Sequence, residues 1–499
     1  MSGIGGSAEA MQASRACFEQ LLGWLEGGEA AVLEHAQLEA ELDRRGRELL
    51  RQMLAGNLEL RALREPRLAE VVDAEQIAHR AVEAGHRRPL ATIFGTVEVT
   101  RRGYRHRGHT NLYPADGQLN LPVERHSHGL RRLAAIEASR GSFEQAAEAI
   151  GRASGQQIGK RQVEALTARA ALDVPEFYAT RRLEPASERD VLVISADGKG
   201  IVMRPDSLRP ATARAAARAT AKLTTRLSKG EKRNRKRLAE VGAVYDLTPA
   251  PRTSADIMAG DAGHERVPAP VTKNKWLTAS VVDDAAQVLR DVFAEADRRD
   301  PDRARTWIAL VDGNNHQIER ITAEAHTRNV SITILVDFVH VLEYLWGAAW
   351  SFFTEADPAA ETWVHDKALA VLDGNARQVA AGIRRRATTT GLNRPRRTKA
   401  DQCATYLVNK AVYLDYPTAL AAGWPIATGV IEGACRHLVK DRMDITGARW
   451  SSQGAEAVLK LRAVRANNDF EAYWTYHLDR EHQRVHAVRY ANNVIPTAA

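Results

Sequence analysis

The chain has 499 residues, of which 44% are hydrophobic, and a formal net charge of +8 at pH 7. This composition excludes disordered and fibrous proteins, and the length indicates roughly three domains. The three cysteines are far apart and form no Cys-x-x-Cys pair, which argues against a disulfide framework and fits a reducing cytosol. The start of the chain lacks a signal-peptide pattern, and the most apolar stretch, residues 334–353, contains three ionisable side chains that are costly in lipid. We therefore expect neither secretion nor a membrane partner.

The positive charge is concentrated in two segments. Residues 204–237 hold 12 basic and 2 acidic residues, and residues 384–399 hold 7 basic residues and no acidic one. Two cationic segments on an otherwise acidic chain favour a defined path for a polyanion over general adhesion to nucleic acid.

Residues 1–85 show near-helical apolar spacing, which predicts a helical N-terminal region. Residues 86–180 are predicted to form a small β unit followed by two helices around Gly155, in a helix-turn-helix arrangement. If the second helix enters a major groove, its first residues Lys160, Arg161 and Gln162 are of the types that contact phosphates and base edges. The alternative is an ordinary helical hairpin with a solvated polar face.

Residues 185–345 have the pattern of an α/β domain. Three predicted strands near residues 191–194, 241–247 and 276–282 are followed by helix, strand, helix and strand, the last two strands being residues 307–311 and 332–336. Short loops allow the first three strands to be antiparallel, whereas strands separated by helices must be parallel. A mixed sheet flanked by helices follows, in the order found in the ribonuclease H-like fold. Residues 346–424 are predicted to be a helical insertion, and residues 425–499 a further helix region and a C-terminal tail.

Three of the apolar runs end in an aspartate: Asp197, Asp312 and Asp337. In an α/β sheet the carboxyl ends of parallel strands line the crevice where ligands bind. Carboxylates brought together there repel one another, and Mg²⁺ relieves the repulsion while binding substrate phosphates. For any single aspartate the alternative is a turn residue or a helix N-cap.

Several motifs, in this order along the chain, resemble bacterial insertion-sequence transposases of the ISKra group. They are VISADGKGIVMRPD, KLTTRLSKGEKRNRKR with VGAVYDLTP, ALVDGNNHQI, ILVDFVHVLEYLW and GVIEGACRHLVKDRMDITGARW. The resemblance covers roughly residues 88–485. It implies a DDE transposase with a ribonuclease H-like core that cleaves the ends of an insertion sequence and joins them to target DNA with Mg²⁺ or Mn²⁺.

The resemblance also implies roles for individual residues. Asp197 would be the first catalytic acid and Glu432 the last, and these two would hold the metal pair together with Asp312. Asp337 and His340 match an Asp-x-x-His element of the similar Mutator-type transposases. We prefer Asp312 as the second acid because the fourth strand lies beside the first in this fold. Asp337 and His340 would then support the metal ligands or contact DNA.

Further residues are candidates for DNA contact. The first cationic segment contributes Lys232, Arg233, Arg235, Lys236 and Arg237. The usual alternative for such a run is a solvated face or a disordered tail. The terminal motif contributes Arg442 and Trp450, by charge and by stacking, and their alternative is an ion pair or a packed aromatic.

The expected partner is double-stranded DNA, bound by a homo-oligomer in the bacterial cytoplasm at the nucleoid. Two other functions remain open, a structure-specific nuclease on the same core and a DNA-binding protein without catalysis. Many relatives carry a Cys-x-x-Cys pair after residue 100, where this chain has His106 and His109. Because a structural zinc site usually needs four ligands, we predict no zinc there.

Overall fold

The computed structural model describes residues 9–181, 183, 187–218, 235–258, 267–445 and 447–497. The chain forms two compact units, one made of Met1–Thr180 with Asp469–Ala499 and the other of Arg181–Asn468. The last segment of the chain thus belongs with the N-terminal unit, whereas the sequence had grouped residues 425–499 together.

The first unit begins with helices and continues with short strands. The helices are α1 (Gln12–Glu26), α2 (Gly28–Ala31) and α3 (His35–Arg64), and the strands are β1 (Val71–Val72), β2 (Ala78–His79), β3 (Ala81–Thr92) and β4 (Gly95–Arg105). The helical region therefore ends well before the predicted boundary at residue 85. Pro66 explains the end, because proline restricts the residue before it to extended backbone, and helix α3 is followed by Glu65 in that conformation.

Strands β3 and β4 form an antiparallel hairpin. One face of the hairpin packs on the end of α3, in a cluster of buried apolar side chains that comprises Leu58, Leu90, Val97, Val99 and Leu121. A second cluster joins the first strand to the end of the chain and comprises Val71, Tyr104, Leu112 and Tyr490.

Five helices follow in the first unit. They are α4 (Pro114–Gln118), α5 (His128–Arg140), α6 (Phe143–Ser154), α7 (Lys160–Ala170) and α8 (Val174–Thr180). The predicted start and end of α6 are confirmed: Ser142 and Gln145 form a capping box, and Gly155 ends the helix in the left-handed conformation. Helices α5, α6 and α7 pack around a shared apolar core that includes Leu130, Ile150 and Val163.

The second unit contains a mixed sheet of five strands. They are β5 (Val191–Val202), β6 (Lys236–Thr248), β7 (Val271–Ser280), β8 (Trp307–Val311) and β9 (Ile332–Val336). The strand order is β7-β6-β5-β8-β9, with β5, β6 and β7 antiparallel and β5, β8 and β9 parallel. The predicted mixed α/β sheet is confirmed. Residues 191–195 and 241–247 are buried without interruption, as expected for strands covered on both faces.

The remaining helices belong to the second unit, except the last one, which belongs to the first unit. They are α9 (Pro210–Arg218), α10 (Ser254–Met258), α11 (Ala285–Arg299), α12 (Asn315–Thr327), α13 (Phe338–Ala349), α14 (Pro358–Leu372), α15 (Ala376–Thr389), α16 (Arg394–Lys410), α17 (Tyr416–Ala421), α18 (Gly429–Ala434), α19 (Asp441–Met443), α20 (Ser452–Ala466) and α21 (Phe470–Val485). Between α18 and α19 the chain forms a π-helix, Cys435–Lys440. The predicted helical segment between β9 and α18 is present as α13 to α17.

Helix α21 is held to the first unit by buried ionic groups. The Arg131 guanidinium, which has no exposed surface, donates to Glu481 Oε2 at 2.6 Å, and His477 Nδ1 lies 2.7 Å from Asp173 Oδ2. Arg484 donates to Asp173 Oδ1 at 2.8 Å and to Glu481 Oε1 at 2.6 Å. Each buried carboxylate in this group thus has at least one guanidinium partner, as a stable buried ion pair requires.

Candidate metal centre

Asp197 lies inside strand β5, not at its end. The parallel pairing with β8 stops at Ser195, which faces Leu310, whereas the antiparallel pairing with β6 continues to Val202. The sequence prediction of a strand ending at Asp197 was wrong, because β6 keeps the strand extended after β8 has ended. Asp197 therefore lies just past the end of β8, on a part of β5 that no longer pairs with β8.

The Asp197 carboxylate contacts the π-helix that follows α18. Cys435 Sγ donates to Asp197 Oδ2 at 3.3 Å, and the Gly198 amide donates to Oδ1 at 2.6 Å. Burial and the nearby Asp197 charge raise the pKa of the Cys435 thiol, so this cysteine stays protonated and acts as a donor. Asp197 itself is half-buried and retains access to solvent.

Asp312 directly follows strand β8, as predicted. Its Oδ1 accepts from the Asn314 amide at 2.8 Å, and its main-chain carbonyl accepts from the Tyr406 hydroxyl at 3.2 Å. Gly313 adopts a φ of 91°, and a Cβ atom there would lie 2.6 Å from the Tyr406 hydroxyl, so only glycine fits this turn. Asp312 and Asp197 both line a cavity of about 330 Å³, together with Gln317.

Asp337 is completely buried and caps helix α13. Its Oδ1 accepts from the Val339 amide at 2.8 Å, and its Oδ2 lies 3.2 Å from His340 Nδ1 and accepts a hydrogen bond from the Thr428 hydroxyl. The helix N-cap that the sequence left open as an alternative for a strand-end aspartate is present here. The N-cap uses Oδ1, which leaves Oδ2 facing His340 and Thr428.

Glu432 lies on helix α18 and is exposed. Its Oε1 lies 3.3 Å from the Thr428 hydroxyl, one helical turn earlier. Asp337, His340 and Glu432 can each offer one ligand atom, and these three atoms lie within 4.8 Å of one another. The structure thus brings Glu432 beside Asp337 and His340, and Asp197 and Asp312 lie outside this group.

The donor set suits a divalent cation. Two carboxylates and one imidazole converge, and in the part of the chain that the structure describes neither Asp337 nor Glu432 forms an ion pair with an arginine or lysine. A buried carboxylate without a cationic partner is costly. Carboxylates are ligands for Mg²⁺, and the imidazole is more readily accepted by Mn²⁺.

Two contacts of this site were not predicted from the sequence. Thr428 bridges Asp337 and Glu432, and Cys435 reaches Asp197. Both lie within one turn of Glu432, since Thr428 is four residues before it and Cys435 three residues after it. Helical spacing around Glu432 was therefore the signal that could have identified them.

A second, cationic cavity adjoins this region of the same unit. It has a volume of about 1150 Å³ and is lined by residues of α13 and α16, including Arg394, Arg397, Lys399 and Lys410. His340 and Gly313 also line it. The second cationic segment, residues 384–399, thus lines a cavity that also contains His340, whereas Lys410 lies beyond that segment and was not predicted.

Two tyrosines lie in the wall of the cationic cavity. The rings of Tyr344 and Tyr406 are stacked, with 3.9 Å between their centroids, and the Lys410 ammonium donates to Asn315 Oδ1. Glu343 and Asp401 also line the cavity, and Arg397 pairs with Asp401 at 3.1 Å. The cavity therefore combines a net positive lining with an aromatic surface.

The described residues include only part of the first cationic segment. Lys232 and Arg233 lie outside the described residues, and Lys236 and Arg237 already belong to strand β6. The Lys236 ammonium lies 3.6 Å from Asp444 Oδ2, and the Arg237 guanidinium donates to the Val282 carbonyl at 3.1 Å. The predicted run between strands thus continues into the second strand.

Arg442 and Trp450 pack against each other. The guanidinium carbon lies 4.6 Å from the centre of the indole ring, and only 4% of Trp450 is exposed. The indole N–H donates to the Met443 carbonyl at 3.0 Å, and burial lowers the pKa of Arg442 to about 10. This arrangement is the packed aromatic that the sequence offered as the alternative, and it leaves little of the ring for base stacking.

Lys160, Arg161 and Gln162 are exposed at the start of α7 in the first unit. Gln162 Oε1 accepts from the Gly159 amide at 3.0 Å, so this side chain closes the helix start. The other two side chains are available for phosphate contact, and their role in DNA binding stays a prediction.

No helix among the described residues is long and apolar enough to cross a membrane. A scan of the sequence against models of protein families found no match, and neither did a search of curated proteins.

Proposed function

We propose that this protein is a DNA transposase of the DDE type that cleaves and joins DNA with a divalent cation. The observation that carries the proposal is the meeting of Asp337, His340 and Glu432 at one edge of a sheet whose neighbouring strands also bear Asp197 and Asp312. Acidic residues from separate segments of the chain, gathered where parallel strands end, are suited to phosphoryl transfer.

The sheet supports the fold part of the proposal. Numbered in chain order within the sheet, the strands lie in the order 3-2-1-4-5, with the first three antiparallel and the last two parallel to the first. This is the order that the resemblance to ribonuclease H-like transposases implies. The helical segment between β9 and α18 lies where the sequence predicts a helical insertion into the core, which supports the proposal.

The protein groups have distinct tasks in this proposal. Buried Asp337 is oriented by Thr428 and by the N-terminus of α13, and it fixes His340 in turn. Exposed Glu432 can reach the DNA side of the site. A pair of bound divalent cations would lower the pKa of an attacking water or 3′-hydroxyl and stabilise the leaving oxygen.

The geometry bears on which aspartate acts as the second acid. Asp337 lies next to Glu432, whereas Asp312 shares a cavity with Asp197. We therefore include both aspartates in the proposed site, Asp337 beside Glu432 and Asp312 beside Asp197.

The cationic cavity supplies the proposed DNA path. Arg394, Arg397 and Lys399 lie on the same cavity wall, and His340 lines that cavity as well as belonging to the ligand group. A phosphate backbone held there would pass the carboxylates, since neutralising phosphates is the main source of protein–DNA affinity.

The test is a cleavage and joining assay on duplex DNA taken from either side of the coding sequence, with Mg²⁺ or Mn²⁺. We expect Asp197→Asn, Asp312→Asn, Asp337→Asn and Glu432→Gln each to abolish both products. Asp302→Asn is the matched control, because Asp302 is an exposed acid of the same unit outside the site. Cleavage without joining would indicate a nuclease, and DNA binding without cleavage would indicate a non-catalytic protein. Activity retained in the Glu432→Gln and Asp337→Asn proteins would overturn the proposed site.

A further inference from the structure

A second group of metal-ligating side chains lies in the first unit, around the turn between β1 and β2. Asp73, Glu75 and His109 can each offer a ligand atom, and these atoms lie within 4.8 Å of one another. His109 Nδ1 is 3.6 Å from Asp73 Oδ2 and 3.4 Å from Glu75 Oε2. The nearest atoms of the three residues are thus two oxygens and one nitrogen.

Asp73 divides its two oxygens between the backbone and the histidines. Its Oδ1 accepts from the amides of Glu75 and Ile77, at 2.9 and 2.8 Å. Its Oδ2 lies 3.0 Å from His79 Nε2 and faces His109. The hydrogen bonds from the backbone amides hold the carboxylate rigidly. Among the described residues, Oδ2 faces only imidazole groups.

His79 lies beside this group, with its Nε2 facing Asp73 and its Nδ1 on the other side of the ring. Its side chain has no exposed surface, and its Nδ1 has no hydrogen-bond partner among the described residues. When Nε2–H donates to Asp73, Nδ1 presents a buried lone pair, which is rare in folded proteins.

Two more imidazoles stand beside that of His79. The ring centres of His106 and His109 lie 5.8 and 6.1 Å from the His79 ring centre and 5.3 Å from each other. His106 Nδ1 lies 3.1 Å from the Ala78 carbonyl, which leaves its Nε2 as the free ligand atom. Orientation of a histidine by a backbone carbonyl is the usual arrangement around a metal-bound imidazole.

The charges of this group are not balanced by basic side chains. Within the described residues, the ion-pair partners of Asp73 and Glu75 are histidines, and neither acid pairs with an arginine or lysine. A bound cation would neutralise the carboxylates.

We propose that Asp73, Glu75 and His109, with His79 and His106 beside them, bind one divalent transition-metal cation such as Zn²⁺. Imidazole and carboxylate donors together suit Zn²⁺ and its neighbours in the first transition series, whereas Mg²⁺ prefers oxygen donors and water. The sequence prediction of no zinc rested on too few ligands near residues 106–109. The fold adds the carboxylates of Asp73 and Glu75 to His109.

The cation would act as a cross-link within the first unit. It would join the β1–β2 turn to the segment after β4, and the Ala74 amide in that turn donates to the Arg489 carbonyl near the end of the chain. Three segments far apart in sequence would then be tied at one point. The proposal does not depend on the catalytic function proposed above.

The experiment measures Zn²⁺ binding by the full chain after removal of metals with EDTA. Because the Asp337 group could also take Zn²⁺, every protein carries His340→Ala and Glu432→Gln as a common background. Calorimetric titration and metal analysis after gel filtration give the affinity and the stoichiometry. We expect one Zn²⁺ per chain in this background, and His109→Ala should weaken binding at least about 10-fold.

The matched control is His35→Ala, since His35 is an exposed histidine on α3 of the same unit. It should bind Zn²⁺ as the background does. If Asp73→Asn or His109→Ala fails to fold, Glu75→Gln provides the test, because the Glu75 side chain is 74% exposed and its replacement leaves the core intact.

A second readout is the thermal unfolding of the same proteins. A free Zn²⁺ concentration of about 100 times Kd should raise the Tm of the background protein by about 5 °C. The same concentration should leave the Tm of the His109→Ala protein unchanged. The proposal is overturned if the background retains no Zn²⁺. It is equally overturned if the His109→Ala and Glu75→Gln proteins bind Zn²⁺ as tightly as the His35→Ala control.

Discussion

Two carboxylate–histidine clusters, one in each unit, have similar compositions but different neighbours. Asp173, His477 and Glu481 are buried in the first unit with the guanidinium groups of Arg131 and Arg484 against them. Asp337, His340 and Glu432 have no such guanidinium among the described residues, and Glu432 faces solvent.

The difference teaches how to distinguish a structural ionic network from a site for a ligand. Permanent cations within hydrogen-bonding distance satisfy the first cluster, so it needs nothing from outside. The second cluster has the same kinds of acid and imidazole without an internal cation, so a metal ion can neutralise it. Substitutions in the first cluster should therefore change stability, and substitutions in the second should change activity.

The largest effect is expected for Glu432→Gln. Loss of one metal ligand removes several kcal/mol of transition-state stabilisation, so DNA cleavage should fall by about a thousandfold. Because Glu432 is exposed, the free energy of unfolding in urea should change by less than about 1 kcal/mol. Cleavage rates and unfolding curves on the same preparations separate the two effects. A large loss of stability would indicate that Glu432 has a structural role instead.

Arg131→Met should have the opposite result. Removing this guanidinium leaves Glu481 buried with fewer partners, which should lower the free energy of unfolding by about 3 kcal/mol or more. Arg132→Met is the control, because Arg132 is the next residue and pairs with Glu471, whose side chain is 77% exposed. Such a surface pair is worth less than about 1 kcal/mol. Equal effects of the two substitutions would contradict the distinction between the clusters.

The structural cluster should also control stability in acid. Burial raises the pKa values of Asp173 and Glu481, but hydrogen bonds from His477, Arg484 and Arg131 outweigh burial and lower both to about 2. Since these folded-state values lie below the ordinary values near 4, the network stabilises the fold fully above about pH 4–5. This stability is lost as the pH falls towards 2. Urea unfolding between pH 2 and 5 should show this loss, and Arg131→Met should show a smaller pH dependence; identical profiles would argue against the network.

The smallest effect concerns DNA affinity. Replacing Lys232, Arg233, Arg235, Lys236 and Arg237 with alanine should weaken the dependence of DNA binding on salt. The slope of log affinity against log salt should fall by about 1 for each phosphate that the variant no longer neutralises. Fluorescence anisotropy at several salt concentrations measures this slope. Arg377→Ala, an exposed arginine of helix α15 outside both cationic segments, is the single-charge comparison, and an unchanged slope in the quintuple variant would remove these five residues from the DNA path.

The strands of the sheet were predictable from sequence where they are apolar runs followed by polar residues, as β8 and the start of β5 are. The exact ends were less predictable, as Asp197 shows. Its strand continues to Val202 because β6 pairs with it along its whole length, and β6 lies about forty residues further along the chain. The end of α3 at Arg64 was likewise missed, although Pro66 was visible in the sequence.

The candidate sites were predictable in part. Asp337, His340 and Glu432 were all identified from motifs, but the preference for Asp312 rested on strand adjacency alone. Which aspartate lies beside Glu432 depends on where α18 crosses the sheet, and no local pattern gives that position. The group around Asp73 was missed, since His109 lies 36 residues along the chain from Asp73 and the hairpin brings them together.

The sequence by itself determined the α/β class of the second unit, the two cationic segments and the acidic residues after its apolar runs. These features follow from composition and from periodicity over a few residues, which act through local backbone preference and burial. The tertiary structure alone decided which of these charged groups are neighbours. Arg131 and Glu481 lie 350 residues apart in sequence yet 2.6 Å apart in space, whereas Asp337 lies beside Glu432 and His340 and has no guanidinium partner among the described residues. Long-range packing therefore made one cluster of acids a structural network and left the other suited to a cation.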